Sequence, residues 1–344
     1  MYLTFRWYGP DDPVPLAHIR QIPGMTGIVS ALHHRAPGEE WPREEVRSLR
    51  ETVETAGLSL DVIESIPVHE DIKLGRPKRD ELIARYARSV EAVGAEGVPV
   101  VCYNFMPVFD WLRTDLASPM PDGSTALRFD VEAMAAIDFS GGTGDLPGWA
   151  TAYSGEELSA LRSAYAGLSD DELWSNLAYF LEGVIPAAER AGVRLAIHPD
   201  DPPWPVGDFP RIITSIRAME RVTELVDSAA NGVTLCTGSL GANPHEARRL
   251  PEAVHALSGR IHFVHARNVK TVGERTFHES THPDGDVNLP AVLEALREEG
   301  FTGPMRPDHG RMIWGEEGRA GYGLYDRALG ATYLLGVWQG LERA

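Results

Sequence analysis

The chain has 344 residues, 43% of them hydrophobic, which is enough for one large domain or two ordinary ones and carries no signature of disorder. Its 32 basic and 50 acidic residues leave a formal charge of −18, which argues against a protein that grips nucleic acid by neutralising phosphates. Two cysteines, Cys102 and Cys236, are too few for a disulfide framework and point to a reducing compartment. Met1 to Pro10 carries Arg6 inside its apolar run and lacks a signal-peptide pattern, and no later apolar stretch approaches the roughly 20 residues that cross a bilayer. The expectation is a cytoplasmic protein.

Short strand-like runs alternate with longer segments of helical period along the whole chain, the pattern of a parallel sheet covered by helices. The first strand reads Leu3 to Trp7, followed by a short helix from Leu16 to Gln21; the second reads Gly27 to Leu32, with a helix from Arg43 to Ala56 introduced by Pro42. Leu60 to Ile63 is the third strand, after the helix stop Gly57, and Asp80 to Val93 places Leu82, Ile83, Tyr86 and Val90 on one helical face. The fourth strand is Val98 to Tyr103. From Asn104 to about Leu168 the alternation breaks into a long irregular insertion, in which Phe105, Phe109, Trp111 and Trp149 favour an ordered cover over a floppy linker. A helix from Asp170 to Ala191 restores the pattern. Four more strands follow, Arg194 to Ile197, Gly232 to Leu235, Ile261 to Val264 and Pro304 to Pro307, with helices near Arg211 to Ser228, His245 to Leu257, Leu289 to Glu299 and Tyr325 to Gln339. Eight units and one insertion fit a single (β/α)8 TIM barrel of class α/β, spanning 1–344 with residues 104–168 as its active-site cover. An open doubly wound sheet fits less well, because no G-x-G-x-x-G follows the first strand.

The carboxyl ends of the eight strands carry Arg6, His33 with His34, Glu64, Asn104, His198, Cys236, His265 and Asp308. In this fold catalytic groups collect at that face, since each strand supplies one position and the loops vary freely. His198, Cys236, His265 and Asp308 are separated by 38, 29 and 43 residues, close to one strand-plus-helix unit each, so consecutive strands can bring them together. Two imidazoles, a thiolate and a carboxylate suit a divalent transition ion; the soft sulfur disfavours Mg²⁺ and leaves Mn²⁺, Fe²⁺, Co²⁺ or Zn²⁺. A lone cysteine is usually a small buried hydrophobe, but Thr237-Gly-Ser-Leu-Gly after Cys236 reads as a polar turn that would bring the sulfur to the rim. Past Asp308, His309 can move protons near neutral pH, and Arg311 can hold a substrate carboxylate in bidentate fashion. Tyr322, between two glycines, is a second proton carrier or a core aromatic. Arg6, Trp7, His33, Asn104 and Arg267 are the substrate-contacting candidates. His262 falls out of register with His265 and His245 and His255 lie on a helix, so these read as structural or solvent-facing, whereas His278 and His282 lie on the loop after the seventh strand and can line the site.

These residues sit within longer runs: Phe5-Arg-Trp-Tyr-Gly-Pro, Ala31-Leu-His-His, Val62-Ile-Glu-Ser-Ile-Pro-Val-His-Glu-Asp-Ile-Lys-Leu-Gly, Cys102-Tyr-Asn-Phe-Met-Pro-Val-Phe-Asp-Trp, Ile197-His-Pro-Asp-Asp-Pro-Pro, Leu235-Cys-Thr-Gly-Ser and Arg306-Pro-Asp-His-Gly. Over nearly its full length the chain resembles the mannonate dehydratase family of the xylose-isomerase-like barrels. The resemblance implies dehydration of D-mannonate to 2-keto-3-deoxy-D-gluconate in glucuronate breakdown, with one Mn²⁺ or Fe²⁺ per chain. It carries the metal ligands onto His198, Cys236, His265 and Asp308, and proton transfer and substrate holding onto His309, Arg311 and Tyr322. A homo-oligomer acting on a small sugar acid, with no nucleic-acid or membrane partner, is the corresponding expectation. A sugar isomerase or epimerase on the same barrel, and a non-catalytic sugar-acid or metal-binding protein, are the alternatives.

Overall fold

Strands buried on both faces read as continuous apolar runs ending in a polar residue, and that is how the eight barrel strands form. The computed structural model describes residues 1–137 and 154–343. In chain order it contains β1 (Tyr2–Arg6), α1 (Leu16–Ile19), β2 (Met25–Ser30), α2 (Arg43–Thr55), β3 (Ser59–Glu64), α3 (Glu70–Lys73), α4 (Arg79–Ala95) and β4 (Val100–Tyr103). The insertion then carries β5 (Asp115–Pro119), β6 (Thr125–Phe129), α5 (Val131–Ala135) and α6 (Gly155–Tyr165). The barrel resumes with α7 (Asp170–Ala191), β7 (Arg194–Ile197), α8 (Ile216–Leu225), β8 (Asn231–Cys236), α9 (Thr237–Gly241), α10 (Pro244–Ala256) and β9 (Ile261–His265). A hairpin of β10 (Val269–Gly273) and β11 (Thr276–Glu279) precedes α11 (Leu289–Glu298), β12 (Pro304–Arg306) and α12 (Tyr325–Arg343).

The strands β1, β2, β3, β4, β7, β8, β9 and β12 close a parallel barrel in sequence order, with β1 pairing to both β2 and β12. Val29, Val62, Val100, Cys102, Ala196 and Phe263 pack together inside it and fill the floor beneath the mouth. The opposite strand faces meet the helix layer, where Val90, Val184, Met219 and Val254 are fully buried. Among the described residues no helix is long and apolar enough to cross a membrane.

Two expectations need correction. The described part of the stretch after β4 is not irregular: β5 and β6 join β10 and β11 in a four-stranded antiparallel sheet, with Phe129 opposite Phe277. Insertion and hairpin thus share one structure at the barrel mouth, and Phe109, Phe129, Trp204 and Phe277 form its apolar core. Phe105 and Phe109 are buried as expected, whereas Trp149 and the Gly141-Gly-Thr-Gly-Asp run lie outside the described residues. The helix expected from Arg211 begins only at Ile216, because Ser215 caps it through Ala218 N, and residues 211–214 take no helical turn. There Arg211 is buried and donates to the carbonyls of Phe109 (2.8 Å) and Asp110 (3.3 Å), anchoring the insertion instead of lengthening a helix.

Candidate metal centre and active site

At the mouth, ligand atoms of His198 (after β7), Cys236 (the end of β8) and His265 (the end of β9) lie within 4.8 Å of one another. The Asp308 carboxylate, two residues past β12, adds Oδ2 at 3.7 Å from His265 Nδ1 and 3.9 Å from Cys236 Sγ. Asp308 adopts φ 59°, a left-handed conformation that costs an aspartate less than most residues and here turns its carboxylate toward the centre. Cys236 is fully buried, not at a rim: Thr237-Gly-Ser-Leu-Gly forms the short buried helix α9, whose Ser239 donates its N–H (3.4 Å) and hydroxyl (3.1 Å) to the sulfur. Gly238 is required there, because a Cβ would fall 2.0 Å from Arg267 Nε.

The donor set fits a metal ion. His198 Nδ1 lies 2.6 Å from the Pro199 carbonyl and so carries the proton, while His265 Nε2 faces the Glu64 carboxylate at 3.5 Å. The remaining nitrogens, His198 Nε2 and His265 Nδ1, confront each other at 3.1 Å with the thiol and Asp308 alongside, an arrangement of lone pairs that calls for a cation. Burial alone would push the Cys236 thiol up, but the charges of Arg267 and His198 outweigh it and hold the thiol well below its usual range. Burial would likewise strip His198 of its second proton, yet Cys236 pushes the imidazole up to about 9. An ion entering the site takes the place of that proton. Below pH 9 the apparent affinity for a divalent ion is therefore expected to rise roughly tenfold per pH unit, with about one proton released per ion near neutrality. Calorimetry in buffers of different ionisation enthalpy measures that release, and binding without it would contradict the thiolate–imidazolium pair.

A cavity of 330 Å³ opens beside the centre, lined among others by Arg6, Tyr8, His33, Glu64, Asn104, Trp111, His198, Asp201, Arg306, Asp308, His309 and Tyr322. Such a volume suits a small molecule. Glu64 and Asp308 share Arg306 Nη2 at 3.0 and 2.7 Å. His33 is exposed at the rim, and the nearby charges of Arg6 and Arg319 add to partial burial in pushing its imidazole down from the ordinary value. Tyr322 is buried, and burial together with Tyr8 and Asp308 raises its hydroxyl well above the ordinary value, so it keeps its proton. His309 stands between Trp111, stacked at 5.5 Å, and Tyr322 at 5.4 Å.

The mouth therefore brings together Arg6, His33, Asn104, His198, Cys236, His265, Asp308, His309 and Tyr322. Three expected contacts are not brought to the cavity. Trp7 follows Arg6 in a strand where successive side chains alternate, so with Arg6 facing inward Trp7 packs into the helix-layer core. Arg267 is buried behind the centre, bonded to Asp201 (2.9 Å), Asp308 (3.2 Å) and His309 (2.6 Å). Arg311 is turned away: Gly310 N–H bonds to the Gly321 carbonyl, and the guanidinium is held by Asp122 (2.6 Å) and Asp326 (2.9 Å). Of the loop histidines, His282 is buried against the Pro307 carbonyl, the half-buried His278 lies 2.8 Å from the Glu279 carbonyl, and neither lines the cavity. Asp201, Glu279, Arg113 and Arg306 enter the network unanticipated. Glu279 had a visible signal, an acid alternating with Phe277 on the buried face of β11, the two being fully buried around the half-buried His278.

Fold and centre define a (β/α)8 barrel with a candidate metal centre at the carboxyl end of its strands. D-psicose 3-epimerase, crystallised in the presence of D-fructose, shares that fold alone, with a TM-score of 0.57 at 13% identity over 99% of each chain. The particular family follows from closer relatives. The model of the D-mannonate dehydratase (UxuA) family matches residues 1–344. A mannonate dehydratase of Streptococcus uberis is 52% identical over 100% of this chain and 99% of its own, and mannonate dehydratase 2 of Halalkalibacterium halodurans is 51% identical over 99% and 100%. The crystal structure of mannonate dehydratase from Streptococcus suis serotype 2 superposes with a TM-score of 0.91 at 47% identity, over 100% of this chain and 95% of that one. The chain belongs to the D-mannonate dehydratase family.

Proposed function

We propose that this chain dehydrates D-mannonate to 2-keto-3-deoxy-D-gluconate, with Mn²⁺ or Fe²⁺ held by His198, Cys236, His265 and Asp308. One observation carries the reading: in a chain of this family, those four ligand side chains stand beside a cavity that also holds His309 and Tyr322. The charge inventory supports an acid as substrate. Arg6 and Arg306 reach the cavity beside the ligands, and the Cys236 thiolate offsets only half of a divalent ion, so an anionic substrate group is attracted there.

When bound, the ion supplies positive charge to stabilise the negative charge that develops on the substrate carboxylate as C2 loses its proton. His309, whose side chain lines the cavity, accepts the C2 proton. Tyr322, kept protonated, gives its hydroxyl proton to the C3 hydroxyl, so the C3–O bond breaks with loss of water while the C2–H electron pair becomes the C2=C3 double bond. The resulting enol takes a proton at C3 and becomes the 2-keto acid. Arg6, His33 and Asn104 line the cavity and hold the remaining substrate oxygens. The test is to offer metal-stripped protein D-mannonate, other sugar acids and a neutral ketose, restoring Mn²⁺, Fe²⁺ or Zn²⁺ in turn. A 2-keto-3-deoxy acid from D-mannonate with Mn²⁺ or Fe²⁺ is expected. An epimer or isomer instead, or no product with any ion, overturns the reading.

A further inference from the structure

We propose that Glu70 and Lys73 together are the specificity determinant for the far end of the substrate, selecting a sugar acid that ends in neutral hydroxyls over one that is acidic at both ends. The inference deepens the reading above and rests on the substrate carboxylate lying at the ion.

The order of strands locates that far end. The four ligand residues belong to β7, β8, β9 and β12, which are consecutive neighbours in the barrel, and β1 to β4 make up the opposite half. Glu70 and Lys73 are the first and last residues of α3, the single turn that follows β3, and both line the cavity. A linear acid held by its carboxylate at the ion and running across the cavity ends beside them.

The pair is buried with its charges already matched. Lys73 Nζ donates to Glu70 Oε1 and to the Met106 carbonyl, each at 2.7 Å, and the Lys73 and Glu70 side chains are only 5% and 9% exposed. An ammonium has three protons to donate. Among the described residues Lys73 uses two, and the third is left for the cavity that it lines. Glu70 has no such freedom, because Oε1 also accepts from Val108 N–H at 3.3 Å and Oε2 accepts from the Tyr165 hydroxyl of α6. Lys73 is thus the contact, and Glu70 is the charge that balances it, fixed from one side by the inserted segment.

What a substrate terminus meets is therefore a donor without net charge. A hydroxyl accepts that bond and brings no charge of its own. A second carboxylate would stand beside Glu70, and beside Asp110, which also lines the cavity, with the Lys73 ammonium already paired. Arg35 lines the cavity too, but Glu45 holds it and it does not relieve the repulsion. Like charges brought together where little water enters are costly, and a site rejects a wrong partner by that means.

The test compares D-mannonate with D-mannarate, the same six-carbon chain with a carboxylate at both ends, and with D-lyxonate, which repeats C1 to C4 and ends one carbon short. In the Mn²⁺-loaded parent, kcat/KM for D-mannarate is expected to be at least about 100-fold below that for D-mannonate, the scale of an uncompensated like-charge contact. Glu70→Gln preserves the shape and the bonds to Lys73, Val108 and Tyr165 but leaves the ammonium unbalanced. The ratio should then move toward D-mannarate by about 10- to 100-fold, the typical strength of a hydrogen bond to a charged group. Lys73→Met should raise KM for D-mannonate about tenfold on the same scale and leave KM for D-lyxonate near the parent value, since that acid stops short of the pair. Metal content and melting curves like those of the parent show that each variant is folded. An unchanged ratio in folded Glu70→Gln, a parent that dehydrates both six-carbon acids equally, or parent-like KM for D-mannonate in Lys73→Met overturns the inference. Failure of the parent to dehydrate D-mannonate would instead defeat the functional reading, and calorimetric affinities of the three acids for parent and variants would still decide the role of the pair.

Discussion

Replacing Cys236 by serine is expected to abolish tight metal binding, and turnover with it. The thiolate is the only soft donor in the set, and α9, Arg267 and His198 are arranged to keep it ionised in a fully buried position. A serine hydroxyl in the same place stays protonated and offers a weak ligand. Loss of an outer partner alone typically costs 10- to 100-fold in affinity, so loss of this ligand should cost at least about 100-fold. The fold should survive, since the smaller side chain still accepts from Ser239 N–H and replaces a side chain of nearly equal size. Metal content after dialysis, kcat and the melting curve of the metal-free protein measure the three parts separately. A Cys236→Ser protein with full metal content and full turnover would remove the sulfur from the centre.

His309→Asn is expected to leave the metal in place while kcat falls about 10²- to 10⁴-fold, the usual contribution of a positioned acid or base. His309 is not one of the four ligands, and its carboxylate neighbour Glu279 keeps Arg113 and Arg267 as partners in the variant. KM should change little, because binding falls mainly to the ion and to Arg6, His33 and Asn104. Metal analysis alongside steady-state kinetics on D-mannonate separates loss of chemistry from loss of the ion. Near-parent kcat would take His309 out of proton transfer.

The barrel and the four strand-end side chains that gather at its mouth were legible for one physical reason. A strand buried on both faces leaves a continuous apolar run, and the polar residue that ends it marks the mouth; His198 and Cys236 stand within a residue of the observed strand ends. The same reasoning failed where side-chain direction alternates, which is why Trp7 was expected beside Arg6 and instead packs in the core. It failed again at Arg311, whose direction is set by pairing of the loop to Gly321 and Asp326. The insertion looked irregular because β5 is half polar and one-sided, carrying the run Asp115-Leu-Ala-Ser-Pro with no apolar stretch of its own. Arg113, and its pairing with Glu279, were invisible for a deeper reason. The two meet each other 166 residues apart in sequence, so neither composition nor period announces that a charge from one loop completes the partner of a histidine on another.

One ion held at the four strand ends is what the proposed dehydration depends on. The most direct test is a titration of metal-stripped protein with Mn²⁺ or Fe²⁺, following 2-keto-3-deoxy acid formation from D-mannonate as ion is added. Activity should be absent at the start, climb in proportion to the ion and stop rising at one equivalent per chain. Turnover in the stripped protein, or a plateau that bears no relation to one ion per chain, would contradict it.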